Sequence, residues 1–227
     1  MTVDDQKRTA GEAAAALVEG GMTVGLGTGS TAAWFVKALA ARRLPVKAVA
    51  TSEATAALAA ALGMTLINLD DAGAIDLTVD GADEIGPGLT LIKGGGAALL
   101  REKLVWRASR RCVVIAEAAK RSDTLGRFPL PIEVVAFGHA TTAARVDAAL
   151  KACGLAVSAA LRCKDGAPVR TDGGNLIYDA SCGRIADPAK LASALKALTG
   201  VVEHGLFLNL AASALIGTDD GVITLNP

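Results

Sequence analysis

Short apolar runs that stop on glycine alternate with alanine-rich helical stretches along the first half of this chain, and that alternation leaves few folds open. Residues 4–19 read as a helix, with Ala13, Ala14, Leu17 and Val18 on one face and Gly20-Gly21 as its stop. Residues 22–26 form a strand that gives way to Gly27-Thr-Gly-Ser30-Thr31 and a helix carrying Trp34, Phe35, Val36 and Leu39. A strand over 46–51 follows, then an alanine-rich helix opened by Ser52 and ended by Gly63. Further strands are predicted over 65–68, 75–79, 89–92 and 112–116, with a helix over 97–108 before the last. Apolar strands alternating with helices predict an α/β fold, a doubly wound, Rossmann-like parallel sheet covered on both faces.

The pattern changes after Phe128-Pro-Leu-Pro131, a rigid junction. A strand at 132–136, a helix at 141–152, strands at 156–161 and 176–178 around a polar turn segment, a helix from Asp187-Pro188 to 198 and a strand at 201–203 give the order β-α-β-β-α-β. That order predicts an inserted ferredoxin-like α+β domain over 130–205. Segments 206–209, 214–216 and 221–225 are expected to return to the first domain, which then comprises 1–129 plus 206–227.

Composition narrows the function classes. With 227 residues, 52% hydrophobic and 20% charged, the chain is long and apolar enough to bury a core. Lys plus Arg and Asp plus Glu both number 23, so no bulk charge draws it to nucleic acid or to an anionic membrane, although a small basic pocket for a phosphate remains open. The N-terminus is polar and no apolar run is long enough to span a bilayer, which predicts a cytoplasmic protein. The cysteines at 112, 153, 163 and 182 contain no Cys-x-x-Cys, and His139 and His204 have no ligand-spaced partner. Reduced, mostly buried thiols are therefore expected, with no metal.

Chemistry concentrates at strand ends. Gly25-Leu-Gly27-Thr-Gly29-Ser30-Thr31 is a strand–glycine–helix junction whose free N–H groups suit an anion, or else a tight turn with an ordinary N-cap. A dinucleotide fingerprint would want glycine or alanine where Ser30 stands. Asp80, Asp83 and Glu84 crowd three carboxylates around Gly81, a source of general acid or base, a divalent-metal site, or a solvated acidic turn. Lys93 stands before Gly94-Gly95-Gly96, so an ammonium and exposed amides can stabilise a developing oxyanion. Glu102 lies on the following helix, four residues before Trp106, aimed at the sheet edge or paired on the surface. No Gly-x-Ser-x-Gly elbow exists, which argues against nucleophilic hydrolysis.

These residues have a familiar arrangement. Gly25-Leu-Gly-Thr-Gly-Ser-Thr-Ala32, Thr51-Ser-Glu-Ala-Thr55, Asp80-Gly-Ala-Asp-Glu-Ile85 and Lys93-Gly-Gly-Gly-Ala-Ala-Leu-Leu-Arg-Glu-Lys103 resemble the ribose-5-phosphate isomerase family of the A type. Phe128-Pro-Leu-Pro-Ile-Glu-Val134, Gly205-Leu-Phe207 and Ala214-Leu-Ile-Gly-Thr218 fit in the same order, so the likeness covers essentially the whole chain. It implies a cofactor-free aldose–ketose isomerase of the pentose phosphate pathway, a homodimer acting on a pentose phosphate through a cis-enediolate. By that resemblance Glu102 is the base between C1 and C2, Asp80 the carboxylate linked to furanose opening, Asp83 its helper and Lys93 the oxyanion stabiliser. Thr28, Gly29, Ser30, Thr31, Gly81, Ala82, Gly94, Gly95, Gly96, Lys7 and Lys120 match its substrate-binding positions. Thr171-Asp-Gly-Gly-Asn175, Asp179-Ala-Ser-Cys182 and Val202-Glu-His204 depart from the family pattern.

Two other classes compete with this reading. A sugar-phosphate-sensing module of a transcriptional regulator would need a DNA-binding segment, yet three residues precede the first predicted helix, and it would not need Glu102. A Rossmann-type oxidoreductase, with Glu53 near the ribose position, is disfavoured by Ser30.

Overall fold

The computed structural model describes all residues, Met1–Pro227. They divide into two compact units, one of Met1–Ala82, Arg101–Lys120 and Asn209–Pro227, the other of Asp83–Leu100 and Arg121–Leu208.

The first unit holds the strands β1 (Thr23–Leu26), β2 (Lys47–Ala50), β3 (Thr65–Leu66), β4 (Leu77–Gly81), β7 (Cys112–Glu117), β15 (Ser213–Thr218) and β16 (Gly221–Leu225), numbered in chain order. Their order across the sheet is β3-β2-β1-β4-β7-β15-β16, all parallel except β16, which runs back against β15. This is a doubly wound, Rossmann-like sheet. The order reverses between β1 and β4, so a crevice opens beyond their carboxyl ends. Helices α1 (Val3–Ala15), α2 (Ser30–Ala41) and α3 (Glu53–Ala61) accompany it. Ala10, Ala14, Val18, Phe35, Val36 and Leu39 close against Val24, Leu26, Val79, Val113 and Ile115 in one core. Small residues set that spacing: a Cβ on Gly11 would press into Trp34 and Phe35, and one on Gly217 would strike the Gln6 carbonyl.

The second unit is built on β8 (Leu130–Val134), β9 (Ala160–Leu161), β12 (Leu176–Ala180) and β13 (Val201–His204), in the antiparallel order β13-β8-β12-β9. Helices α5 (His139–Ala152) and α6 (Pro188–Lys196) complete the β-α-β-β-α-β ferredoxin-like arrangement. Leu130, Ile132, Val134, Leu176 and Tyr178 pack with Val146, Leu150, Leu191 and Leu195 of the helices. Strand alternation therefore turns Pro131, Glu133, Ile177 and Asp179 to the other face of the sheet. The unit also contains a three-stranded sheet of β5 (Glu84–Ile85), β6 (Leu91–Ile92) and β14 (Leu206–Phe207), in the order β14-β6-β5. A small hairpin of β10 (Cys163–Lys164) and β11 (Ala167–Pro168) completes the strands.

Several predicted bounds shift for local reasons. Helix α1 stops at Ala15, because Leu17 and Val18 donate three residues back and Arg42 Nη1 takes the Ala15 and Val18 carbonyls. Helix α4 (Leu99–Arg107) starts after Ala97, whose φ of +59° cannot continue a helix backwards. The strand expected at 89–92 is reduced to β6, because Pro87–Leu89 forms a 3₁₀ turn with Leu89 at φ +51°. The strand expected at 156–161 is only Ala160–Leu161.

Of the four free cysteines, only Cys112 is buried; Cys153 and Cys182 are half-buried and Cys163 is exposed, so the expectation of mostly buried thiols is corrected. Burial, with the Asp80 charge adding to it, pushes the Cys112 thiol up to about 12, and burial pushes Cys182 up to about 11. Because the thiolate is the reactive form, an aromatic disulfide reagent is expected to modify Cys163 first and Cys112 only on unfolding. Mapping the modified peptides checks this; early labelling of Cys112 in the native protein would contradict it.

Candidate active site

In the first unit the site grows from the switch point of the sheet. Leu26 pairs with Val79, which brings Gly27 level with Asp80. The approach is close enough that a Cβ on Gly27 would fall on the Asp80 carboxylate, which fixes glycine there. Asp80 is wholly buried, and such a group needs hydrogen-bond partners. Its Oδ1 accepts the backbone N–H of Thr28 (3.1 Å) and of Gly81 (2.7 Å), and its Oδ2 accepts Trp106 Nε1 (3.2 Å). One carboxylate thus ties the β1–α2 loop, the end of β4 and helix α4 together. Glu102 lies one helical turn before Trp106, on the same side of α4, and is 4% exposed.

The β1–α2 loop is fixed by hydroxyls as well. Thr28 Oγ1 lies 2.8 Å from Thr51 Oγ1, 2.8 Å from Ser52 Oγ and 3.2 Å from Thr55 Oγ1. Ser52 in turn caps α3 through the Thr55 N–H at 3.1 Å. Gly29, at φ +110°, turns the chain into α2, whose first N–H groups have no helical partners. Lys7 Nζ stands 3.1 Å from Ser30 Oγ at that N-terminus, joining an ammonium to a ready anion site. Gln6 Oε1 accepts the Ala118 N–H at 3.3 Å, so α1 is pinned to the turn that bears Lys120. Lys120 Nζ is 3.9 Å from Glu117 Oε1.

The second unit assembles a different set. Lys93 follows β6 directly, is 2% exposed and lies with Nζ 5.5 Å from the centre of the Phe207 ring. Its backbone N–H donates to the Gly205 carbonyl at 2.9 Å. Asp83 Oδ2 accepts the Gly95 N–H at 2.7 Å, so that amide is used inside the turn. The Gly94 and Gly95 carbonyls both accept Arg162 Nη1 at 3.0 Å. Arg162 is itself held by Asp179, through Nε to Oδ2 at 2.7 Å and Nη2 to Oδ1 at 2.5 Å.

Thr28, Ser30, Lys7 and Asp80 therefore come together within one unit, with Thr31 buried behind them in α2, while Asp83, Lys93, Gly94 and Gly95 come together within the other. Gly81 closes on Asp80, and Ala82 is half-buried beside it in sequence. Glu84, counted with the acidic cluster, is structural instead. It is wholly buried and accepts the N–H groups of Gly126, Arg127 and Phe128 at 2.9, 3.3 and 3.1 Å. Trp106, Thr51, Thr55, Arg162 and Asp179 carry contacts that the residue pattern did not single out as site residues. Nowhere do three His, Cys, Asp or Glu side chains gather as a metal ion would require.

Trp106→Phe removes the indole N–H that Asp80 Oδ2 accepts at 3.2 Å. Hydrogen bonds to charged groups contribute about 1.5–3 kcal/mol, so a stability loss of that order is expected in denaturant unfolding. An unchanged midpoint would contradict the role given to this contact.

Residues 47–221 match the family described as ribose 5-phosphate isomerase A (phosphoriboisomerase A). A protein named ribose-5-phosphate isomerase A from Caulobacter sp. (strain K31) is 67% identical over 227 residues, covering both chains completely. The protein of that name from Parvibaculum lavamentivorans is 50% identical over 97% of each chain. Among solved structures, ribose 5-phosphate isomerase A from Neisseria gonorrhoeae superposes with a TM-score of 0.92 at 33% identity, over 100% of this chain and 98% of that one. A D-ribose-5-phosphate isomerase in complex with phospho-erythronic acid gives a TM-score of 0.93 at 36% identity, with both chains fully covered. With the family model matched over residues 47–221 and a relative of that name 67% identical over the full length of both chains, this chain belongs to the ribose 5-phosphate isomerase A family.

Proposed function

We infer that the chain interconverts D-ribose 5-phosphate and D-ribulose 5-phosphate, with the base, the oxyanion stabiliser and the phosphate site all supplied by its own side chains and amides. The observation that carries this reading is the likeness over the full length of both chains to a ribose-5-phosphate isomerase A, at 67% identity. The pairing of Asp80 with an anion-suited α2 N-terminus at the switch point supports it.

In this reading the phosphate takes the N-terminus of α2, with Lys7, Ser30, Thr31 and Lys120 supplying charge and hydroxyls, and Thr28 and Gly29 shaping the loop. Gly81 and Ala82 line the substrate beside Asp80. Asp80, enclosed by three N–H donors, serves ring opening by holding the Thr28 and Gly81 amides in place. Asp83, half-exposed, is the carboxylate that meets the sugar. Glu102 takes the proton from C2 of the open aldose, and the electron pair forms the C1–C2 double bond while O1 becomes the oxyanion. A proton passes from O2 to O1, Glu102 returns its proton to C1, and the ketone forms at C2. Buried Lys93 and the turn's glycine amides not spent on Asp83 stabilise the oxyanion. A positioned base contributes about 10²–10⁴-fold, which leaves a large share to that stabilisation.

The reading assigns the catalytic role to 1–129 plus 206–227 and the ferredoxin-like one to 130–205, a functional division distinct from the compact units, since Asp83, Lys93 and Gly94–Gly96 lie in the second unit. It also includes a cytoplasmic homodimer. Phe137, 93% exposed beside the exposed Val135, offers apolar surface that a second copy could cover.

With purified protein and ribose 5-phosphate in EDTA, ribulose 5-phosphate is expected to form. Glu102→Gln is expected to abolish turnover while retaining substrate affinity. Lys93→Ala is expected to lower kcat more than it raises KM. Near-normal turnover by Glu102→Gln would remove it as the base, and a pure KM effect at Lys93 would make it a binding group.

A further inference from the structure

Asp179 and its neighbours stand among the segments that depart from the family pattern, yet the structure gives this aspartate a defined partner. Arg162 commits four hydrogen bonds: Nε and Nη2 to the Asp179 carboxylate, and Nη1 to the Gly94 and Gly95 carbonyls. The side chains are 16% and 24% exposed, so the pair is mostly withdrawn from water. A bidentate guanidinium–carboxylate pair is both strong and directional. Its free corner points at the one loop that the proposed reaction needs for its oxyanion.

That loop requires an external hold. Gly94 is at φ +106° and Ala97 at φ +59°, and the internal link across the turn is Ala97 N–H to the Gly94 carbonyl at 3.0 Å. Asp83 grips the Gly95 N–H from one side and Arg162 grips the Gly95 carbonyl from the other.

The grip also has an electronic consequence. A hydrogen bond to a peptide carbonyl polarises the N–H of that same peptide. The Gly94 carbonyl shares its peptide with the Gly95 N–H, which donates to Asp83 at 2.7 Å. The Gly95 carbonyl shares its peptide with the Gly96 N–H, and Gly96 is exposed with no hydrogen bond of that N–H inside the chain.

We propose that Arg162, locked by Asp179, is a positioning residue for the isomerisation: it sets the Gly94–Gly96 turn and sharpens the Gly96 N–H as an oxyanion donor. This rests on the isomerase reading given above. A lysine keeps the charge but cannot grip Asp179 with two N–H groups and still reach two carbonyls. The expected signature is therefore a loss of turnover rather than of binding.

The test compares wild type, Arg162→Lys, Arg162→Ala and Glu102→Gln for kcat, KM, thermal midpoint and affinity for phospho-erythronic acid, whose carboxylate offers two oxygens as an enediolate does. Arg162→Lys is expected to lower kcat roughly ten- to a hundredfold, less than the ~10²–10³-fold of deleting an oxyanion donor outright. KM should stay within about threefold, and affinity for phospho-erythronic acid should fall with kcat while affinity for inorganic phosphate holds. Added guanidinium ion should restore part of the turnover of Arg162→Ala, a rescue that a merely unfolded variant would not show. Wild-type kcat in Arg162→Lys, or a kcat loss with unchanged analogue affinity and no guanidinium rescue, would overturn the proposal. If Glu102→Gln is inactive and Arg162→Lys is not impaired, only this inference fails; if Glu102→Gln turns over, the isomerase mechanism fails first.

Discussion

The buried carboxylate of Asp80 is the contact on which the first unit's candidate site depends. It stands where the parallel sheet reverses its order, the one place in such a sheet where two loops part and leave room for a ligand. A carboxylate with no exposed surface is tolerated only with its oxygens satisfied, and the Thr28, Gly81 and Trp106 N–H groups that it accepts each come from an element that the candidate site uses. Thr28 orients the loop into α2, Gly81 ends β4, and Trp106 fixes α4 one turn beyond Glu102. Remove the carboxylate and three N–H groups lose their partner together. The glycine at position 27 exists for the same reason, since any Cβ there would occupy the space of that carboxylate.

The second unit solves a different problem, that of holding a glycine turn still. Glycine lets the Lys93–Gly96 backbone turn through a positive φ at Gly94, but glycine also loses the most conformational entropy on ordering. The ferredoxin-like sheet answers with Asp179 on its helix-free face, Arg162 reaching from the segment after β9, and Asp83 at the turn itself. Phe207, brought alongside by the pairing of β14 with β6, supplies an aromatic face to the Lys93 ammonium.

Much of this was legible in the residues. The alternation of apolar runs with helical segments pointed to the doubly wound sheet, and the β-α-β-β-α-β order to the ferredoxin-like one, because both depend on periodicity that a sequence carries openly. Element ends were less legible: α1 ends early through tighter turns and the reach of Arg42 from another helix, and no local signal encodes that. The hairpin of β10 and β11 did have a signal, Asp165-Gly166, and both residues take the positive φ that a two-residue hairpin turn demands. Glu84 shows the opposite failure. Its proximity in sequence to Asp80 and Asp83 suggested chemistry, but its carboxylate spans three amides from residues more than forty positions away. Arg162 and Asp179 were hidden for a similar reason, since their importance lies in a loop nearly seventy positions before Arg162.

The most direct test of the account is to run the isomerisation of ribose 5-phosphate in deuterium oxide and read deuterium at C1 of the ribulose 5-phosphate formed. A proton carried by the Glu102 carboxyl exchanges with solvent during its time there, so the account predicts deuterium at C1 in the wild type and neither product nor label with Glu102→Gln. Ribulose 5-phosphate formed by Glu102→Gln at a near-wild-type rate with deuterium at C1 would contradict a proton carried by the Glu102 carboxyl.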